Sequence, residues 1–256
     1  MANLLTLKAT LYGIKPPIWR RVAVPDTLTF WEFHFVMQIL FDWENSHLFE
    51  FRTGRGTPFD FLTGSPSVMP GDEDNMPEWQ QDPRTVLLTE VLDAPKAKLI
   101  YTYDFGDNWE HQIVVETVTP LAPDAPLPPV RCLAGRRAAP PEDMGGIWGY
   151  AELLDALAQK AAGTRKRLPS EYADFAKLDP EEFDLDGLNQ ELARLDEIAA
   201  QHDAYLAQIQ ARYQQLQPAR APAPYEAPLD INALLSAMAA NLAKPLRGSI
   251  PKKPKP

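Results

Sequence analysis

The chain has 256 residues, 45% of them apolar and 10% aromatic, which supports one sizeable core and excludes a disordered polymer. Its net charge is −10, but Lys244 to Pro256 holds five basic residues and no acid, so the rest of the chain carries twenty basic against thirty-five acidic groups and repels phosphate backbones at long range. A lone cysteine, Cys132, excludes an internal disulfide framework and fits a reducing, cytoplasmic setting, while the absence of a signal-peptide pattern and of any run near ~20 apolar residues leads us to expect no export and no membrane span.

Residues 4–12 alternate as a strand, with Leu5, Leu7, Ala9 and Leu11 on one face. Lys15-Pro16-Pro17 interrupts the pattern, because proline cannot donate to a ladder, and residues 18–24 form a second strand paired to the first. Asp26 or Thr27 is placed to cap a helix running to about Phe41. Phe30, Phe33, Val36, Met37 and Leu40 make one apolar stripe and Trp31, Phe35 and Ile39 another, so this helix is expected between two layers. Strand character resumes over residues 47–52, and residues 53–75, rich in Gly, Pro and Asp, read as loop with a short strand at most. Two strong strands, 99–104 and 112–119, flank the turn-like Asp104-Phe105-Gly106-Asp107-Asn108, and a proline-rich loop follows.

Residues 146–162 contain a helix with Tyr150, Leu153, Leu154 and Leu157 on its apolar face, and 171–178 a shorter one. Asp179-Pro180-Glu181-Glu182 has the pattern of a helix start: a capping acid, proline first, acids in the first turn. Leu188, Leu192, Leu195, Ala199, His202, Leu206, Ile209, Tyr213 and Leu216 then alternate spacings of four and three, a heptad seam predicting one long helix over 183–217. That seam either packs back on its own domain or assembles the protein, with a second copy or with another protein. Residues 218–228 read as a Pro/Ala linker, after which Ile231, Leu234, Leu235, Met238 and Leu242 edge a short amphipathic helix ahead of the basic tail. Tethered in this way, the short helix either docks on a partner or folds onto its own domain.

Several segments together carry a family signature. They are Gly13-Ile14-Lys15-Pro16-Pro17-Ile18-Trp19-Arg20-Arg21; Trp43 with Ser46, His47, Leu48, Glu50 and Phe51; Tyr103 through Trp109; and Cys132-Leu133-Ala134-Gly135 with Pro140-Pro141-Glu142-Asp143 and Gly145-Gly146. Over roughly residues 3–190 the chain resembles the plasmid pRiA4b ORF-3-like family, passenger proteins of plasmids and insertion elements. The resemblance implies a mobile-element setting and no established reaction. Relatives often have cysteines where Ala139 and Met144 stand and a histidine where Phe49 stands, so a metal cluster suggested for them lacks ligands here.

These readings lead to an α+β fold: a mainly antiparallel sheet covered by helices within residues 1–182, the heptad helix over 183–217, and the linker, short helix and basic tail over 218–256. No cofactor and no bound metal are expected. The leading functional expectation is a non-enzymatic interaction module that meets a protein partner through Trp19, Arg20, Arg21, His47, Asp104, Asp107, Trp109, Arg136, Arg137, Glu142 and Asp143. The arginines among them either make a cationic patch or pair internally with Asp104, Asp107, Glu142 and Asp143. Two alternatives stand beside it. One is a nucleic-acid-associated protein using the basic clusters and tail, disfavoured by net charge; the other is a metal-dependent hydrolase using Asp104, Asp107, His111 and Glu142.

Overall fold

Alternation fixes the first strand: Leu5, Leu7, Ala9 and Leu11 of β1 (Asn3–Leu11) are all buried, with half-exposed residues between them. The computed structural model describes residues 2–53, 61–64 and 80–216. β1 pairs antiparallel with β2 (Trp19–Pro25) through Leu5 opposite Val24 and Leu7 opposite Val22. On its other side β1 pairs with β7 (Trp109–Pro120), which pairs in turn with β6 (Lys98–Tyr103). With β3 (Phe49–Arg52), β4 (Phe61–Gly64), β5 (Gln80–Gln81) and β8 (Arg131–Arg136), the described residues form one sheet ordered β5-β4-β3-β6-β7-β1-β2-β8, antiparallel except between β4 and β5. The chain is therefore α+β with a mainly antiparallel sheet.

Helix α1 (Phe30–Leu40) begins later than its sequence suggested. Thr29 caps it, accepting from the Glu32 amide at 3.2 Å while the Glu32 carboxylate accepts from the Thr29 amide at 2.7 Å. Asp26 is engaged elsewhere: its carboxylate accepts from the amide and side chain of Asn3, tying down the start of β1. Nine of the eleven α1 residues are buried, because its two stripes meet different layers. Phe30 and Phe33 pack on Phe51 of β3, and Trp31 and Phe35 pack on His202.

Strand β8 follows the proline-rich loop and is not among the strands expected from the sequence. It is an edge strand with only Cys132 fully buried, so it lacks the alternation that marks β1. α2 (Gly146–Ala161) buries Tyr150, Leu153 and Ala156, and a 3₁₀ helix spans Ser170–Phe175. Asp179-Pro180 does not start a helix: the Pro180 carbonyl accepts from Ala138 and Asp179 accepts from the Glu181 amide, making a turn that docks beyond β8. Asp184 is the cap instead, accepting from Gly187 at 2.9 Å to open α3 (Leu185–Leu192).

The long helix is broken. α3 ends at Leu192, two residues turn, and α4 runs Leu195–Leu216. Asn189 explains the break, since its side chain bonds both the amide and the carbonyl of Cys132 and so lays α3 on the β8 edge. α3 also packs beside α1, and α4 places His202 against Trp31 and Phe35 of its second stripe. Leu192 and Leu195 are buried at the turn, and Leu188, Ala199 and Leu206 pack against the core, so this part of the heptad seam is filled within the chain. Ile209 is half-buried; the side chain of Leu216 and the whole of 218–256, with Ile231, Leu234, Leu235, Met238 and Leu242, lie outside the described residues.

Candidate functional site

Three loops meet at one end of the sheet: 41–48 after α1, the β6–β7 turn at 104–108, and 137–145 between β8 and α2. Tyr103 ties them together. Its hydroxyl donates to Glu142 Oε1 at 2.7 Å and accepts from the Ser46 amide at 2.9 Å. Burial and the Glu142 carboxylate hold this phenol well above its ordinary range, so it remains a donor. Glu142 Oε1 also accepts from the Glu44 amide, and Trp43 Nε1 donates to the Pro140 carbonyl at 2.9 Å. The turn expected at 104–108 is present, but its positive φ angles fall on Asp104 and Asn108 and not on Gly106. Asp104, at φ 55°, donates its amide to Leu48 and accepts from Gly106 on Oδ1 at 2.8 Å.

Asp107 closes the third side, accepting from the Gly145 amide at 3.0 Å. Gly146 is required there: at φ 66°, a Cβ on it would stand 2.4 Å from the Asp107 carbonyl oxygen. Gly146→Ala is expected to lower unfolding free energy by roughly 3 kcal/mol, against about 1 kcal/mol for Gly163→Ala, which shares the positive φ but has open space around it. Equal losses in urea denaturation would show that the close approach is unimportant.

His47 projects into this junction. Its Nε2 lies 3.1 Å from Asp143 Oδ1 and 3.8 Å from Asp104 Oδ2. The three side chains each offer a ligand atom, all within 4.8 Å of one another. Asp104 is 8% exposed, whereas the Asp143 side chain is 77% exposed on a residue at φ 54°.

The arginines do not neutralise these acids, contrary to the internal pairing expected. Arg20 is buried and donates to the carbonyls of Leu40, Trp19 and Arg136, between the rings of Phe41 and Phe183; burial pushes its pKa down to about 10. Arg21 makes a bidentate pair with Glu116. Arg137 binds Glu181 and the Pro16 carbonyl. Arg136 is exposed on β8, so the arginines do not assemble a cationic cleft either. Among the described residues, no ion pair links Asp104, Asp107, Glu142 or Asp143 to an arginine or lysine.

Of the residues singled out in the sequence, His47, Asp104, Asp107, Glu142 and Asp143 come together. Trp109 is in the core beside Trp43, and Trp19 lies on β2 under Lys8 and Arg21. His111 belongs to the core. It is fully buried against Phe41 and Trp43, so the Asp104, Asp107, His111, Glu142 set proposed for hydrolysis is not assembled. Cys132 is buried with its thiol pKa raised by burial, which removes it as a nucleophile. Sequence reasoning missed Tyr103 as the latch, since a tyrosine at a strand end carries no sign of its partner.

Beside the junction runs an open groove of about 1220 Å³ between the 41–46 loop, the 138–143 loop and α3–α4. Its lining includes seven carboxylates, Asp42, Glu44, Glu142, Asp143, Glu182, Asp184 and Glu191, over an apolar floor that includes Phe35, Ile39 and Leu188. Among the described residues Arg20 is the only arginine or lysine in the lining, and its Nε and Nη1 donate to carbonyls.

The family model for plasmid pRiA4b ORF-3-like proteins matches residues 3–187. The chain belongs to the plasmid pRiA4b ORF-3-like family. An uncharacterised protein of Sinorhizobium fredii, y4hQ, is 38% identical over 169 residues, covering 63% of this chain and 76% of the relative. A solved structure of a protein of unknown function, MM3350 from Methanosarcina mazei, is similar with a TM-score of 0.55 and 32% identity, covering 72% of this chain and 97% of that one. In this pRiA4b ORF-3-like chain the family segments quoted above supply the latch, the acid junction and one wall of the groove. No described helix is long and apolar enough to cross a membrane.

Proposed function

We propose that this pRiA4b ORF-3-like chain is a non-enzymatic recognition module whose groove takes a basic, partly apolar polypeptide segment. The observation that carries the reading is the groove's charge: among the described residues seven carboxylates line it with one arginine, whose Nε and Nη1 already donate to carbonyls. Apart from Glu191, which pairs with Arg194, none of these carboxylates forms an ion pair with an arginine or lysine among the described residues. Such a surface attracts lysine and arginine side chains and repels phosphates, while the apolar floor gives buried area. Exposed large apolar side chains near the loops, Leu48, Phe105 and Trp148, extend the surface on which a partner would lie.

The test uses the full chain and two labelled synthetic peptides of equal length, one alternating lysine with leucine and one with glutamate in place of lysine. Fluorescence polarisation is expected to show binding of the basic peptide, weakening as salt rises. The double change Glu44→Gln with Glu182→Gln, both exposed positions, is expected to weaken it roughly five- to tenfold. Indifference to peptide charge, or no binding of either peptide at low salt, refutes the reading.

A further inference from the structure

Three ligand-type atoms, from three different loops, converge beside the groove, and among the described residues no lysine or arginine pairs with them. His47 Nε2 is screened from solvent and has no well-aligned hydrogen-bond partner, yet it faces Asp143 at 3.1 Å and Asp104 at 3.8 Å. The Asp104 side chain is 11% exposed, and among the described residues its Oδ2 accepts no hydrogen bond, the Gly106 amide being held by Oδ1. A buried ring nitrogen left without a hydrogen-bond partner is costly, and a cation bound between it and the two carboxylates would satisfy it. Ligand atoms about 2.1 Å from a metal stand roughly 3.0–3.4 Å apart at adjacent corners and about 4.2 Å apart across it. The two spacings from His47 Nε2, 3.1 and 3.8 Å, fall in that span, and all three atoms lie within 4.8 Å of one another.

We infer that His47, Asp104 and Asp143 bind one divalent transition-metal ion, of the Mn²⁺ or Zn²⁺ class. One imidazole with two carboxylates is a mixed nitrogen and oxygen set that suits these ions, whereas calcium takes six to eight oxygens and three protein ligands are too few for it. Three protein ligands leave positions for water. The support around the ligands is also in place: Asp104 is held by its bonds to Leu48 and Gly106, and the loop bearing Asp143 by the bonds of its neighbour Glu142 to Tyr103 and Glu44. His111 and Cys132, ligand types both, are buried elsewhere in the core or at the β8 edge and take no part. The inference goes beyond the recognition role and does not depend on it.

The experiment titrates ZnCl₂ and, separately, MnCl₂ into the metal-stripped full chain by calorimetry, with Mn²⁺ also followed by electron paramagnetic resonance. One ion per chain is expected. Asp143→Asn is expected to weaken binding about tenfold or more without loss of stability, since its side chain is mostly exposed and asparagine accepts positive φ. His47→Gln is expected to weaken it similarly, while Glu182→Gln leaves it unchanged and at the same time weakens the basic peptide, which separates the two proposals. No stoichiometric binding of either ion, or equal binding by the wild type and both ligand variants, overturns the inference.

Discussion

Lowering the pH from 7.5 to 5.0 is expected to remove about 4 kcal/mol of folding stability, and two core histidines account for it. His34 and His111 are fully buried, and burial pushes each pKa down to about 3. His34 stacks on Phe49 with ring centroids 3.5 Å apart and bonds the Tyr101 hydroxyl and Asn45, while His111 lies among aromatic rings and its Nε2 has no hydrogen-bond partner among the described residues. An unfolded chain takes up these protons below pH about 6.5, whereas the folded chain resists until about pH 3. Between those values the unfolded state binds more protons, so stability is complete above the window and falls as pH falls through it. Each histidine contributes about 2 kcal/mol at pH 5.0. Urea denaturation at the two pH values measures the loss, and His111→Phe should remove about half of it. A free energy of unfolding unchanged at pH 5.0 means that these rings accept protons inside the fold.

Arg20→Ala should destabilise the protein by about 4 kcal/mol, a large cost for a single change with no ion pair to break. The guanidinium donates to three carbonyls that bring the end of α1, β2 and β8 together, and each would be left without that donor. The stem also fills the space between Phe41 and Phe183, where Gly135 leaves room: a Cβ there would come within 2.4 Å of the Phe183 ring and 2.9 Å of Arg20 Cδ. Arg20→Met restores volume without the donors, and is expected to recover only about 1–2 kcal/mol. Thermal and urea unfolding check both variants. If alanine costs less than about 1 kcal/mol, Arg20 is not the clasp described here.

The two arginine readings drawn from the sequence failed for one reason. Arg20, Arg21 and Arg137 lie next to the signature acids in motif order, but strand pairing sends them elsewhere. Arg21 reaches Glu116 across β1, because β2 and β7 both flank that strand. Arg137 reaches Glu181 only because the 179–182 turn docks beyond β8. Such partners are 95 and 44 residues away in the chain, and no local pattern encodes them. The His111 error has the same origin: opposite Tyr101 in the sheet, it is packed into the core against Phe41 and Trp43.

The sequence by itself determined what depends on neighbours within a few residues: the alternation of β1, the double stripe of α1, the tight turn at 104–108 and the family segments that identify the chain. Only the tertiary structure decided which distant groups meet. It broke the heptad helix at Leu192 by setting Asn189 on β8, made Tyr103 a latch for Glu142, and brought His47 from one loop to Asp104 and Asp143 on two others. Periodicity reports burial along one element, whereas a site gathered from three loops is set by sheet register and close packing, which a linear pattern does not contain.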